Sequence, residues 1–250
     1  MMNITETVKQ LIIINVIFFL GTMFVPAAFN YLALWYFENP NFQIWQPLTH
    51  MFMHGGWMHI FFNMFALYSF GSTLEHFWGG KKFLFFYISC GLGAALLHSG
   101  VNYYLYHDGL NILLENGVSQ SEVVQLLSEG KINPNWSTVL GGMDKVTEFG
   151  SAFAAPAVGA SGAIYGLLVA FAFMFPNAEL ALMFIPVPIK AKYFVPGLLL
   201  IDLYLGMSGR SIFGGASGIA HFAHIGGAIV GFLMMWFWKK NQFNNNRWDR

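Results

Sequence analysis

The chain has 250 residues, of which 56% are hydrophobic and only 10% charged. A soluble domain carries roughly a quarter charged residues, so this composition excludes a water-soluble globular protein and points to a polytopic membrane protein. Twelve Lys plus Arg balance twelve Asp plus Glu, which leaves no electrostatic basis for a nucleic-acid partner or a strongly acidic substrate.

The first apolar run, 11–25, follows Lys9 and ends at Pro26-Ala27-Ala28. The small residues there faintly resemble a signal-peptide cleavage site, but the nearly uncharged lead-in and the parity of the later runs favour a retained span. Residues 29–57, rich in aromatics, Asn and Pro, read as a folded interfacial loop. Further spans are expected at about 58–77, 83–106, 158–175, 193–207 and 218–238, six in all, with the fifth short. Cys90, the one cysteine, lies inside the third run and can form no internal disulfide.

Cations favour one side of this arrangement. Lys9, Lys81, Lys82, Lys190, Lys192, Lys239, Lys240, Arg247 and Arg250 fall on one face, against Lys131, Lys145 and Arg210 on the other. The positive-inside rule then puts both termini, including a short tail at 241–250, in the cytoplasm, as expected in a plasma (inner) membrane. The polar insertion at about 108–157 becomes extracytoplasmic. Within it Ser119 reads as an N-cap with Glu122 three residues on, Val118 and Val123 as a hydrophobic staple, and Gly130 as a stop. Val123, Val124, Leu126 and Leu127 give that helix an apolar stripe for resting on the protein or the membrane surface. Asn135-Trp136-Ser137 has the form of an N-glycosylation acceptor.

The chemistry concentrates at the outer ends of spans four and six. Gly159-Ala160-Ser161-Gly162 opens the fourth, and Ala223-His224-Ile225-Gly226-Gly227 opens the sixth. A hydroxyl and an imidazole at one depth form a plausible nucleophile and base. Gly162 with Gly166, and Gly227 with Gly231, are small-xxx-small pairs that let helices approach backbone to backbone, bringing His224 toward Ser161. Tyr165, one turn below Ser161, is placed to stack on the imidazole. In the second span His59 and Asn63 share a helical face. Polar side chains are costly in hydrocarbon, and these two, with the Ser161 backbone N–H, could donate to the oxyanion of acyl transfer. Asp202, inside the fifth span, is the residue this reading explains least, since a Ser-His pair already accounts for the acid and base work. His50, His54, His59, Asn63, Ser161, His221 and His224 cluster toward the outer half and read as the lining of a wet cavity.

At these residues the chain resembles the rhomboid intramembrane serine proteases. Gly159-Ala160-Ser161-Gly162 matches the nucleophile motif, Ala223-His224-Ile225-Gly226-Gly227 the base motif, and His59-Ile60-Phe61-Phe62-Asn63 the oxyanion-binding pattern, led in by His50 and His54-Gly55-Gly56. The resemblance covers about 42–238. It implies an all-α, six-helix bundle over 1–240 with a membrane-associated first loop, around a water-filled cavity open to the outer face. It also implies hydrolysis of transmembrane-anchored protein substrates near the outer bilayer surface by a Ser-His dyad, with no cofactor and no metal. Two departures stand out: Trp45-Gln46 replaces the Trp-Arg common in the family's first loop, which puts charge-based anchoring of that loop in doubt, and the insertion exceeds what the core needs.

Rival readings fare less well. The outer histidines lack the His-Glu-x-x-His arrangement of a zincin. An aspartyl protease would need a second carboxylate beside Asp202, and Ala163 breaks the Gly-x-Ser-x-Gly elbow. A catalytically inactive relative that binds or escorts membrane proteins would be marked by loss of Ser161 or His224, and both are present. No inverted repeat supports a transporter.

Overall fold

In the computed structural model, which describes residues 3–182, 185–209 and 219–245, the chain opens with helix α1 (Glu6–Phe24). Its first N–H groups would be orphans, as at any helix start. They are met by the carboxylate of Glu75, which accepts from Thr5 Oγ1 (2.5 Å), Thr7 N (2.9 Å) and Val8 N (2.9 Å). This anion at the positive end of α1 fastens it to the second span. The first loop follows, with α2 (Ala27–Leu32) and α3 (Gln46–Thr49).

The run expected as the second span folds as α4 (Trp57–Ala66), a π-helical turn (Leu67–Gly71) and α5 (Ser72–Trp78). Then come α6 (Gly80–Glu115), α7 (Gln120–Ser128), α8 (Ser137–Leu140), α9 (Met143–Ala154) and α10 (Ser161–Met174). Strands β1 (Glu179–Leu182) and β2 (Ile185–Lys190) precede α11 (Ala191–Ser208) and α12 (Ile219–Asn245). Among the described residues, three segments are long and apolar enough to cross a membrane, Glu6–Phe24, Gly80–Glu115 and Ala220–Trp238, and Ser161–Met174 is a shorter apolar helix. Gly218, Arg210, Arg247 and Arg250 lie outside the described residues.

Helices α6, α10 and α12 form the centre, and glycines set how closely they meet. A Cβ on Gly227 would overlap the Gly162 carbonyl, and one on Gly231 would lie 2.7 Å from the Gly166 Cα. The two small-residue pairs therefore interlock, one from each helix. On the other flank, a Cβ on Gly162 would strike Ala94, and one on Gly166 would strike Cys90. Backbone-to-backbone packing of this kind replaces the hydrophobic drive that lipid does not supply.

Two expectations need correction. Helix α6 does not stop where the third apolar run was expected to end, near 106: it continues to Glu115 because Tyr106, Leu110 and Leu113 keep the helical period and are buried, while Asp108 on the opposite face is solvent-exposed. Those three residues join Val123, Leu127, Trp136, Val146, Phe149 and Phe153 in a second core, so the insertion is a helical cap built on α6. The Ser119 side chain does accept from Glu122 N, at 3.3 Å, and Gly130 does take a left-handed φ of 69°. Finally, the fold is not purely α-helical. Glu179 pairs with Lys190 and Leu180 with Ile189 in an antiparallel hairpin. Pro186 and Pro188 forbid a helix there, and a two-stranded ribbon tolerates them because each strand keeps an open edge.

The first loop is held without the arginine. Gln46 is fully buried, its Nε2 donating to Asn41 O (2.9 Å) and Tyr31 O (3.3 Å) while its Oε1 accepts from Trp35 N (3.2 Å). A neutral amide can both donate and accept, so it ties three separate backbone points of the loop together. Gln46→Ala strands those groups away from water, and unfolding in detergent should show a loss of about 1–3 kcal/mol. A loss below a few tenths would mean the loop is held elsewhere.

Candidate active site

Ser161 is the first residue of α10, so its backbone N–H and hydroxyl sit at the positive end of that helix. The approach to it demands glycine. Gly159 has φ 124°, a conformation that L side chains rarely adopt, and a Cβ there would lie 2.9 Å from His59 Nε2 and 3.5 Å from Ser161 Oγ. The Gly159 N–H donates to His50 O at 2.9 Å, strapping the nucleophile's leader to the first loop.

His224, in the first turns of α12, presents Nε2 to Ser161 Oγ at 2.9 Å. The Gly227–Gly162 contact one turn further along accounts for this reach. Tyr165 lies flat on the imidazole, with centroids 4.2 Å apart and planes at 10°. The His224 side chain is 21% exposed, so the pair is reachable from outside the bundle.

His59 and Asn63 stand on α4 facing the same place. The Gly55 N–H donates to His59 Nδ1 at 3.3 Å, which makes Nδ1 the acceptor and leaves the proton on Nε2, the nitrogen beside Gly159. Asn63 Nδ2 gives one proton to His59 O at 2.8 Å. The amide carries a second proton beside the one given to His59.

The wet-cavity reading holds for fewer residues than expected. His50 and His54 are buried, at 5% and 3% exposure. His50 Nδ1 faces Gln46 O at 3.1 Å. Burial pushes the two imidazoles down to about 4 and about 3, keeping both neutral near pH 7. They are packing residues beneath the first loop. Only Ser161, His59 and His224 of the outer cluster are partly exposed.

Sequence reasoning missed the partner on the far side of His224. Asp202 Oδ1 lies 3.2 Å from His224 Nδ1 and 2.5 Å from His221 Nδ1. The signal was available: two histidines three residues apart on one face of the sixth span, and one carboxylate inside the neighbouring span. The three ligand-type atoms lie within 4.8 Å of one another. Both Nδ1 atoms converge on a single carboxylate oxygen, the geometry of two donors sharing one acceptor.

Comparison with known proteins bears on this constellation. A family model described as "Rhomboid domain" matches residues 41–241, taking in the first loop's second half and every site residue above. The chain belongs to the rhomboid family. It is also similar to "Rhomboid protein 1, mitochondrial" of Saccharomyces cerevisiae, with 25% identity over 189 residues, 76% of this chain and 40% of that relative. The chain thus matches less than half the length of this curated rhomboid. Helix α1, which the rhomboid match leaves out, is the segment held by Glu75.

Proposed function

We propose that this rhomboid-family protein is an intramembrane serine endopeptidase that hydrolyses transmembrane-anchored protein substrates near the outer bilayer surface. The observation that carries the reading is the 2.9 Å contact between Ser161 Oγ and His224 Nε2 at the mouth of two glycine-locked helices. The lipid bilayer is the second partner. On this reading six spans, α1, α4–α5, α6, α10, α11 and α12, cross the bilayer, and the bias of the cations in the sequence supports cytoplasmic termini.

In the proposed reaction, Ser161 Oγ forms a bond to the scissile carbonyl carbon as its proton passes to His224 Nε2. The carbonyl electron pair moves onto oxygen, where the Ser161 N–H, His59 Nε2–H and the second Asn63 amide proton receive it. His224 then delivers the Nε2 proton to the leaving nitrogen as the C–N bond breaks. Water repeats the sequence to release the acyl group, and the partial exposure of His224 admits it.

The test is labelling of the purified protein with a serine-directed fluorophosphonate, with and without Ser161→Ala. Labelling that depends on Ser161 supports the reading, and labelling unaffected by the substitution would falsify it. His59→Ala and Asn63→Ala should each slow cleavage of a membrane-anchored substrate by roughly ten- to a thousandfold, the scale of losing one oxyanion donor. Wild-type turnover in both variants would reduce the pair to helix-packing residues.

A further inference from the structure

Asp202 is a carboxylate in an apolar helix, its side chain only 6% exposed. An isolated charge there is prohibitively costly, so the group must be matched by donors. Two are in place, the Nδ1 atoms of His221 and His224, successive residues of one stripe at the start of α12. An ionised carboxylate accepts only, so each contact requires the proton on Nδ1. For His224 this leaves Nε2 with a lone pair, and Nε2 is the nitrogen facing the Ser161 hydroxyl.

We infer that Asp202, oriented by His221, is a positioning residue that holds His224 in the tautomer able to accept the serine proton. The inference rests on the proteolytic reading above and adds to the expected dyad a carboxylate behind its base. As Ser161 Oγ bonds to the carbonyl carbon and its proton reaches Nε2, the imidazolium that forms lies against Asp202, which keeps its charge and takes no proton. When the C–N bond breaks, that proton leaves from Nε2 to the amine and His224 returns to its starting tautomer. His221 donates from one turn before His224, fixing which carboxylate oxygen is shared.

Among the described residues, the charged and titratable groups around His224 are His59 on α4, Tyr165 on α10, Asp202 on α11 and His221 on α12. Among them Asp202 is the one carboxylate, and it is the group set against His224 Nδ1. Asp202→Asn keeps the shape, but its amide can turn NH₂ toward Nδ1 and favour the wrong tautomer.

The experiment uses the full chain in detergent or proteoliposomes, with a membrane-anchored substrate. Asp202→Asn should lower kcat by roughly 10²- to 10⁴-fold, the upper figure being that known for the corresponding change in a Ser-His-Asp enzyme, with KM within about threefold. The acid limb of the pH–rate profile should move to lower pH, because the imidazolium loses its stabilising anion. Asp202→Glu, which restores the charge, should return the limb toward its wild-type position. A merely structural role would alter the folded fraction and leave the limb where it was. The tautomer is read on the unsubstituted protein by ¹⁵N-histidine resonances, with His224 assigned from His224→Gln. A neutral His224 protonated on Nδ1 supports the inference, and one protonated on Nε2 overturns it even if Asp202→Asn fails to fold. Loss of activity in Ser161→Ala together with unchanged kcat and acid limb in Asp202→Asn refutes only the positioning role. Activity surviving in Ser161→Ala refutes the proteolytic reading itself.

Discussion

Replacing Ser161 by alanine is expected to cut hydrolysis of a membrane-anchored substrate by about 10⁴- to 10⁶-fold while the protein still folds. The magnitude follows from the non-additive character of nucleophile and base, each of which is useless without the other. His224→Ala should therefore cost nearly as much, and the double variant little more than either alone. The structural expectation comes from what the side chains touch. Ser161 Oγ meets His224 Nε2, and the fit of α10 against α12 is set by Gly162, Gly166, Gly227 and Gly231. Thermal unfolding should change by no more than one surface-type hydrogen bond, about 0.5–1.5 kcal/mol. Quantitative cleavage of a single-span substrate, with circular dichroism on the same samples, checks both halves. Residual activity within tenfold of wild type in either single variant would move the chemistry elsewhere.

The second large effect is expected at Gly227. A valine there must place its Cβ where the Gly162 carbonyl already sits, and a backbone atom cannot swing aside as a flexible side chain can. Relief requires α12 to retreat from α10, carrying His224 with it. Overpacking alone typically costs about 1–3 kcal/mol and can cost more when backbone is the obstacle. A retreat of roughly 1 Å is enough to lower turnover by about a hundredfold, since proton transfer depends on near-contact geometry. Gly227→Val should thus lose both stability and activity, unlike Ser161→Ala, which should lose only activity. Gly227→Ala should fall between. If Gly227→Val melts and cleaves as wild type does, the helices are not held together through their glycines.

Much of the site was readable from residue types and spacing because its parts are local. A serine between glycines at a helix start, a histidine at another helix start, and two small-residue pairs each fit within a few residues. Their placement in the structure, at 2.9 Å between Ser161 and His224 with Tyr165 stacked beneath, follows from those short patterns. Asp202 was less readable. Its signal, one carboxylate in α11 and two histidines three residues apart in α12, is split between two elements, and how α11 turns toward α12 is not encoded in either one. His50 and His54 illustrate the converse error. Histidines near the right depth looked like cavity lining, yet both are buried, and His50 is tied to Gly159, more than a hundred residues away in sequence.

The fold shows the same division. Long apolar runs gave helices, whereas their ends depended on neighbours. α6 runs past its apolar stretch because the insertion supplies Trp136, Phe149 and Phe153 for its buried face. The hairpin escaped notice because its residues are as apolar as the flanking spans, and only Pro186 and Pro188 argue against a helix. The neutral substitute for the first-loop arginine could be named from sequence, but its three backbone attachments could not.

The first loop is stitched to the end of the insertion in two places and to α6 in a third. Leu34 and Ala157 exchange both backbone hydrogen bonds at 2.9 and 2.8 Å, Asn39 Nδ2 donates to Phe153 O at 2.9 Å, and Glu38 meets His107 Nε2 at 2.9 Å. Ala157 is only two residues before Gly159, whose own amide is tied back to the loop at His50. The rim of the molecule and the leader of the nucleophile are therefore one mechanical piece, joined at both ends. Any displacement that lifts the rim for a substrate must either break both seams together or shift Ser161 along with it.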